Sequence, residues 1–216
     1  MIITVGNIKG GCGKTTIATN LAVLSALSGH RTMLIDCDVQ GSSMSWRSCR
    51  PDECGHIHCV AINTPTLHKD IRDLDFNTII IDAGGRDNDL FRSAIMACDK
   101  MIVPLTPSPY DVWSSEDTFK ILSDARIYKD IPAIVVINQV IPNTNLAKEI
   151  IPLLDDLAKD YQFDIAKSTL GARQDFKKCV NEGQGVSEFS PETKADIEIR
   201  ELYEEVFANE LTQKTK

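Results

Sequence analysis

The chain has 216 residues, 43% of them hydrophobic and 25% charged, which excludes a disordered, collagenous or disulfide-stapled protein. Its 23 Lys and Arg face 31 Asp and Glu, a net charge of −8 at pH 7. That balance speaks against a protein whose main surface is a nucleic-acid groove, because phosphate binding needs clustered cations. The length predicts one domain over residues 1–216. The N-terminus shows no basic segment followed by a cleavage site, and no run approaches the ~18 apolar residues of a membrane span. Seven cysteines, an odd number at irregular spacing, predict reduced thiols and a cytoplasmic protein.

In chain order, the patterning predicts a strand over Ile2–Gly6, a helix over Lys14–Ser28 and a strand over Thr32–Asp36. A strand at His58–Ile62 and a helix at Leu67–Leu74 follow, then a strand at Thr78–Asp82 and a helix at Asp89–Ala97. The strands Met101–Leu105 and Ala133–Asn138 are separated by a helix at Ser115–Tyr128, and a further helix covers Leu146–Asp160. Runs such as Ile79-Ile80-Ile81 and Ile134-Val135-Val136-Ile137 are apolar throughout, as strands covered on both faces must be. Alternation of strand and helix predicts an α/β fold, a doubly wound, mostly parallel sheet with helices on both faces. The tail predicts a short helix at Gln174–Val180 and a longer one within Pro191–Leu211. Ile197, Leu202, Val206 and Phe207 would dock that last helix, with Glu198, Glu201, Glu204 and Glu205 facing solvent. A membrane-surface helix would instead be basic on its polar face.

The first strand runs directly into Lys9-Gly10-Gly11-Cys12-Gly13-Lys14-Thr15-Thr16 and then a helix. Glycines let backbone N–H groups converge on phosphate oxygens, and the helix N-terminus adds the positive end of its dipole. In such a loop Lys14 reaches the β- and γ-phosphates and the Thr15 hydroxyl ligates Mg²⁺. The general phosphate-loop pattern has Gly at its first position, where this chain has Ile8. Asp36 and Asp38 lie at the end of the second strand, beside that loop, where open α/β sheets bind ligands. Asp82 ends an apolar strand, in the manner of the carboxylate that orders Mg²⁺ through water.

The segment Lys-Gly-Gly-x-Gly-Lys-Thr-Thr resembles the deviant Walker A motif of the ParA/MinD group of ATPases. Asp36-Cys37-Asp38-Val39-Gln40 resembles that group's D-x-D-P-Q segment, with Val39 in place of Pro. Pro104-Leu105-Thr106-Pro107-Ser108-Pro109-Tyr110-Asp111 resembles the proline-rich turn of small partition ATPases. Ser168–Val186, with Arg173, Gly183 and Gly185-Val186, resembles the stretch near the base. Ala83-Gly84-Gly85 departs from the usual Thr-Pro-Pro, which leaves that loop's geometry open.

The resemblance implies a slow Mg²⁺-dependent ATPase in which ATP drives a sandwich homodimer. It implies that Lys9 crosses to the partner's phosphates, Asp36 lies near the metal, Asp38 positions the attacking water and Asn138 reads adenine. It further implies nonspecific DNA binding by the ATP dimer, a ParB-like centromere-binding adaptor that stimulates hydrolysis, and a nucleoid-associated protein. The loop starts at residue 9, leaving no room before it for a helix-turn-helix domain, so sequence-specific operator binding is not expected. Alternatives from the same group are positioning of a protein cargo, DNA transfer, and a membrane switch like MinD, which the acidic tail disfavours.

DNA contacts are expected from Arg173, Lys177, Lys178 and Lys194. Residues 167–194 hold five Lys or Arg against four Asp or Glu, so only a dimer of two weakly basic edges would bind DNA. Cys49, Cys54, His56, His58 and Cys59 lie close together but lack a C-x₂-C knuckle, which points to thiols in a loop more than to zinc. Cys12 has no accompanying His and reads as loop filler, and Trp46 and Trp113 read as packing or interface aromatics.

Overall fold

The computed structural model describes the backbone of residues 1–211 and the side chains of residues 1–208. The expected extent of 1–216 therefore runs five residues beyond the described ones. Strands β1 (Ile2–Val5), β2 (Thr32–Cys37), β3 (His58–Ala61), β4 (Thr78–Ala83), β5 (Lys100–Leu105), β6 (Ala133–Ile137) and β7 (Asp164–Ile165) form one sheet. Its order is β3-β2-β4-β1-β5-β6-β7, and every strand pairing in it is parallel.

Alternation along each strand divides the core in two. Met33, Ile35, Ile79, Ile81, Val135 and Ile137 face one apolar cluster. Leu34, Ile80, Ile134 and Val136, with Ile3 and Val5, face the other. Helices α3 (Leu67–Asp70), α4 (Asp89–Ala97), α5 (Pro109–Arg126) and α7 (Ile151–Tyr161) cover the first face. Helices α1 (Lys14–Leu27), α8 (Gln174–Asn181) and α10 (Lys194–Leu211) contribute to the second. Both faces being covered explains why the strands read as unbroken apolar runs.

Differences from the sequence expectation have local causes. The helix expected over Leu146–Asp160 is two, α6 (Leu146–Glu149) and α7, because Pro152 sits at the start of the second and supplies no N–H to the first. Helix α5 begins at Pro109, well before Ser115, since Pro suits the first helical turn. Helix α3 ends at Asp70, short of Leu74. Helices α2 (Ser42–Ser48) and α9 (Val186–Phe189), and the two-residue β7, have no periodic apolar signal.

Strand β1 is central, and the chain fills the sheet on one side of it before crossing to the other. The loop after β1 thus opens at the point where strand order reverses, outside the carboxyl ends of the strands.

Candidate functional site

The loop between β1 and α1 is held from beneath by Asn7. Its amide donates to the Pro104 carbonyl at 2.9 Å, and its Oδ1 accepts from Lys9 N at 3.0 Å and Thr118 Oγ1 at 3.1 Å. Gly13 has φ 92°, and a Cβ there would lie 2.1 Å from Asn138 Nδ2, so only glycine fits. By contrast, a Cβ on Gly10 or Gly11 would meet nothing within 4 Å, so that side of the loop is an open cradle. Lys14 Nζ curls over the loop to the Lys9 carbonyl at 2.9 Å, while Lys9 Nζ lies 3.3 Å from Asp111 Oδ1 on α5. Cys12 is buried, and that burial pushes its thiol pKa up, the opposite of what a nucleophile needs.

Two strand-end carboxylates stand side by side, since Asp36 on β2 and Asp82 on β4 are register partners. Asp82 Oδ2 accepts from Thr15 Oγ1 at 2.7 Å and from Ser43 Oγ at 2.8 Å. Burial raises the Asp82 pKa to about 7, against the pull of the Thr15 and Ser43 hydrogen bonds and with the neighbouring Asp36 charge adding to the rise. A divalent cation there would favour the ionised form. Asp36 spends both oxygens on backbone amides, Oδ1 on Asp38 N at 3.0 Å and Oδ2 on Met44 N at 2.9 Å. It thereby fixes the loop that carries Asp38 and starts α2. Asp38 accepts from Gln40 N at 3.0 Å and is only half-buried.

Gly84 and Gly85 let these parts close together. A Cβ at Gly84 would sit 3.2 Å from the Cys37 carbonyl, and one at Gly85 would sit 3.2 Å from Lys14 Nζ. A hydroxyl and carboxylates at the open loop are the hard oxygen donors that Mg²⁺ takes, and the glycine cradle suits phosphates, so the residues fit both groups. A cavity of about 400 Å³ lies over them, lined among others by Gly10, Lys14, Thr15, Asp38 and Gly85.

A second cavity of about 370 Å³ shares Gly13, Thr16 and Gln139 with the first and continues to Arg173, Phe176 and Lys177. Asn138, at the end of β6, donates to the Cys12 carbonyl at 2.8 Å and accepts Gln139 N at 2.8 Å, so its amide holds the phosphate loop. Helix α10 fixes the far wall. Glu198 pairs with Arg173 at 2.6 Å and accepts Gly171 N at 2.9 Å, and Glu205 accepts Lys167 N at 2.9 Å and Ser168 Oγ at 2.7 Å. Burial alone would raise the Glu205 pKa, but these hydrogen bonds outweigh it and lower it below 4.5.

The expectation that Glu198 and Glu205 face solvent is therefore corrected: they face the 167–173 loop, and only Glu201 and Glu204 of the set are exposed. Of the residues expected to contact DNA, Arg173 is engaged by Glu198, whereas Lys177, Lys178 and Lys194 are exposed. In the cysteine-rich segment, the His58 ring stacks edge-on against Phe76, and Cys59 Sγ lies 3.6 Å from Met44 Sδ. Trp46 is buried and Trp113 is largely exposed beside Tyr110. Ser43, Asp111, Glu198 and Glu205 escaped sequence reasoning. Glu198 and Glu205 carried a signal, for they flank the buried Ala195, Leu202 and Val206 on one helical face. Among the described residues no helix is long and apolar enough to cross a membrane.

A parallel sheet whose central strand ends in a glycine-rich loop and helix, with a hydroxyl and a buried carboxylate beside the lysine, defines a nucleotide-binding protein of the P-loop class. The chain belongs to the CobQ/CobB/MinD/ParA nucleotide binding domain family, whose model matches residues 3–186. It is 26% identical over 210 residues, 94% of this chain and 95% of the relative, to maintenance of carboxysome distribution protein A of Halothiobacillus neapolitanus. It is 28% identical over 138 residues to the chromosome-partitioning ATPase Soj of Thermus thermophilus, covering 50% of this chain and 55% of that one. The fold matches that of septum site-determining protein MinD from Pyrococcus horikoshii, complexed with Mg-ADP, with a TM-score of 0.74 at 16% identity over 95% of each chain.

Proposed function

We propose that the chain is a slow Mg²⁺-dependent ATPase that acts as a switch for distributing a cargo over DNA. The observation that carries this reading is the meeting of Lys14, Thr15 and Asp82 at one end of an open glycine cradle, with Asp38 on the adjoining loop. ATP would lay its phosphates over the amides of Gly10, Gly11, Cys12, Gly13 and Thr16, and Lys14 would leave the Lys9 carbonyl for the phosphate oxygens. Thr15 and Asp82, with Asp36 behind them, would hold Mg²⁺, which would neutralise phosphate charge there. Asp38 orients the attacking water in line, and Asn138 lines the second cavity, which would take the base.

Lys9 of each chain reaches the partner's phosphates, so that the homodimer forms only with ATP and hydrolysis undoes it. The dimer binds DNA nonspecifically through the exposed Lys177, Lys178 and Lys194 of both chains, with Arg173, paired to Glu198, beside Lys177 on the wall of the second cavity. A ParB-like adaptor resets it by stimulating hydrolysis, which makes the protein cytoplasmic and nucleoid-associated with no membrane partner. The likeness to Soj supports plasmid or chromosomal DNA as cargo. The likeness to the carboxysome distribution protein over 94% of the chain favours a second reading, in which the same switch positions a protein body.

The test is DNA retention at low salt with ATP, with ADP and without nucleotide. Retention is expected with ATP alone, steeply weakened by added salt. Ala at Lys177, Lys178 and Lys194 together should lose retention while ATP stays bound. Equal retention in all three nucleotide states overturns the switch.

A further inference from the structure

Helix α2 has glycine as its N-cap and receives no side-chain cap of its own. Its first turn is tied instead to the two strand-end carboxylates: Met44 N donates to Asp36 Oδ2 at 2.9 Å and Ser43 Oγ to Asp82 Oδ2 at 2.8 Å. Ser43 is completely buried, and Asp82 lies 39 residues away in the chain. The other end of α2 is pinned independently. Trp46 Nε1 donates to the Gln184 carbonyl at 3.1 Å, and Arg50, just past the helix, forms a two-pronged pair with Glu188. The Asp38 loop thus sits between an anchored helix and two carboxylates.

Asp82 Oδ2 already accepts two hydroxyls, those of Thr15 and Ser43, about as many bonds as a carboxylate oxygen takes. Thr15 is the one that the proposed function sends to a cation. Once it turns away, Ser43 is the remaining contact of the pair on that oxygen, and it lies on the same segment as Asp38. We propose that Ser43 is a positioning residue that holds the Asp82 carboxylate in place and ties the Asp38 loop to the cation end of the site.

The inference rests on the nucleotide reading above. It is specific to the cation-dependent part of binding, because Ser43 touches neither the glycine cradle nor the second cavity. Its test is the affinity for a fluorescent ATP analogue measured with Mg²⁺ and again with EDTA, each variant serving as its own control. Removing a buried hydrogen bond to a carboxylate should lower the ratio of the two affinities about tenfold in Ser43→Ala. Ser43→Cys, of nearly the same size and with a weak donor, should give an intermediate ratio, and it carries the test if the Ala variant fails to fold. A ratio in the folded variant equal to that of the wild type overturns the role of Ser43 and leaves the nucleotide reading standing. A wild type that binds no ATP analogue overturns both.

Discussion

The two ends of the site are built differently. At the phosphate end, Thr15 shares one oxygen of Asp82 with the buried Ser43, and Lys14 rests on a carbonyl, so Thr15 and Lys14 each hold by a single bond with an evident alternative partner. At the other end, the 167–173 loop is clamped to α10 by a short Arg173–Glu198 pair and by carboxylates that take backbone amides. Hydroxyl and ammonium contacts exchange when a better anion or cation arrives, whereas backbone amides held by a carboxylate have nowhere else to go. The site therefore sets two rearrangeable side chains, Thr15 and Lys14, against a fixed wall and against Asp36, which by the same rule stays on the amides of Asp38 and Met44.

The largest effect on the rearrangeable side chains falls at Lys14. Lys14→Ala should reduce ATP affinity more than about 100-fold by calorimetry while leaving the melting temperature nearly unchanged, because its one hydrogen bond, to the Lys9 carbonyl, stabilises little. Asp38→Ala should retain ATP and slow hydrolysis by about 100-fold or more, with a dimer that persists in light scattering. A variant that is loaded with ATP yet monomeric would count against the water-orienting role.

The wall should fail in the opposite way. Glu198→Ala frees Arg173 and leaves Gly171 N without its acceptor, so it should lower the melting temperature by several degrees and ATP affinity by about tenfold. If only affinity fell, the clamp would not be structural. The smallest effect is on pH. The lowered pKa of Glu205 means that its contribution is complete above the ordinary carboxylate value of 4.5 and drains away as the pH falls through its own, lower value. Denaturant unfolding of wild type and Glu205→Gln should therefore converge as the pH falls from the ordinary carboxylate value of 4.5 through the lower value of Glu205 itself.

Sequence made the phosphate end legible because its chemistry is packed into contiguous segments, residues 9–16, 36–38 and the end of β4. The parallel sheet with helices on both faces followed from alternation and from runs apolar enough to be covered on both faces, whereas the order of its strands did not. Ser43 was invisible, one serine among several in a polar stretch whose helix is held by carboxylates from two different strands. The wall was misread for a related reason. Glu198 and Glu205 are typical of a solvated helix face, and only the position of the 167–173 loop, 25–38 residues away, gives them partners. The resemblance assigns Asn138 to the base, whereas its amide faces the Cys12 carbonyl, which no spacing rule encodes.

The pairing of Lys9 with Asp111 has a thermodynamic consequence. One ammonium cannot serve two anions fully, so every later use of Lys9 competes with a partner already supplied by its own chain. Half-exposed pairs of this kind contribute up to about 1 kcal/mol, which scales any competing association constant down by a factor of up to about five per lysine. Added salt weakens the internal pair as well as the external one. The cost of releasing Lys9 is then smallest where the pull on it is also weakest, which flattens the salt response of whatever Lys9 goes on to bind.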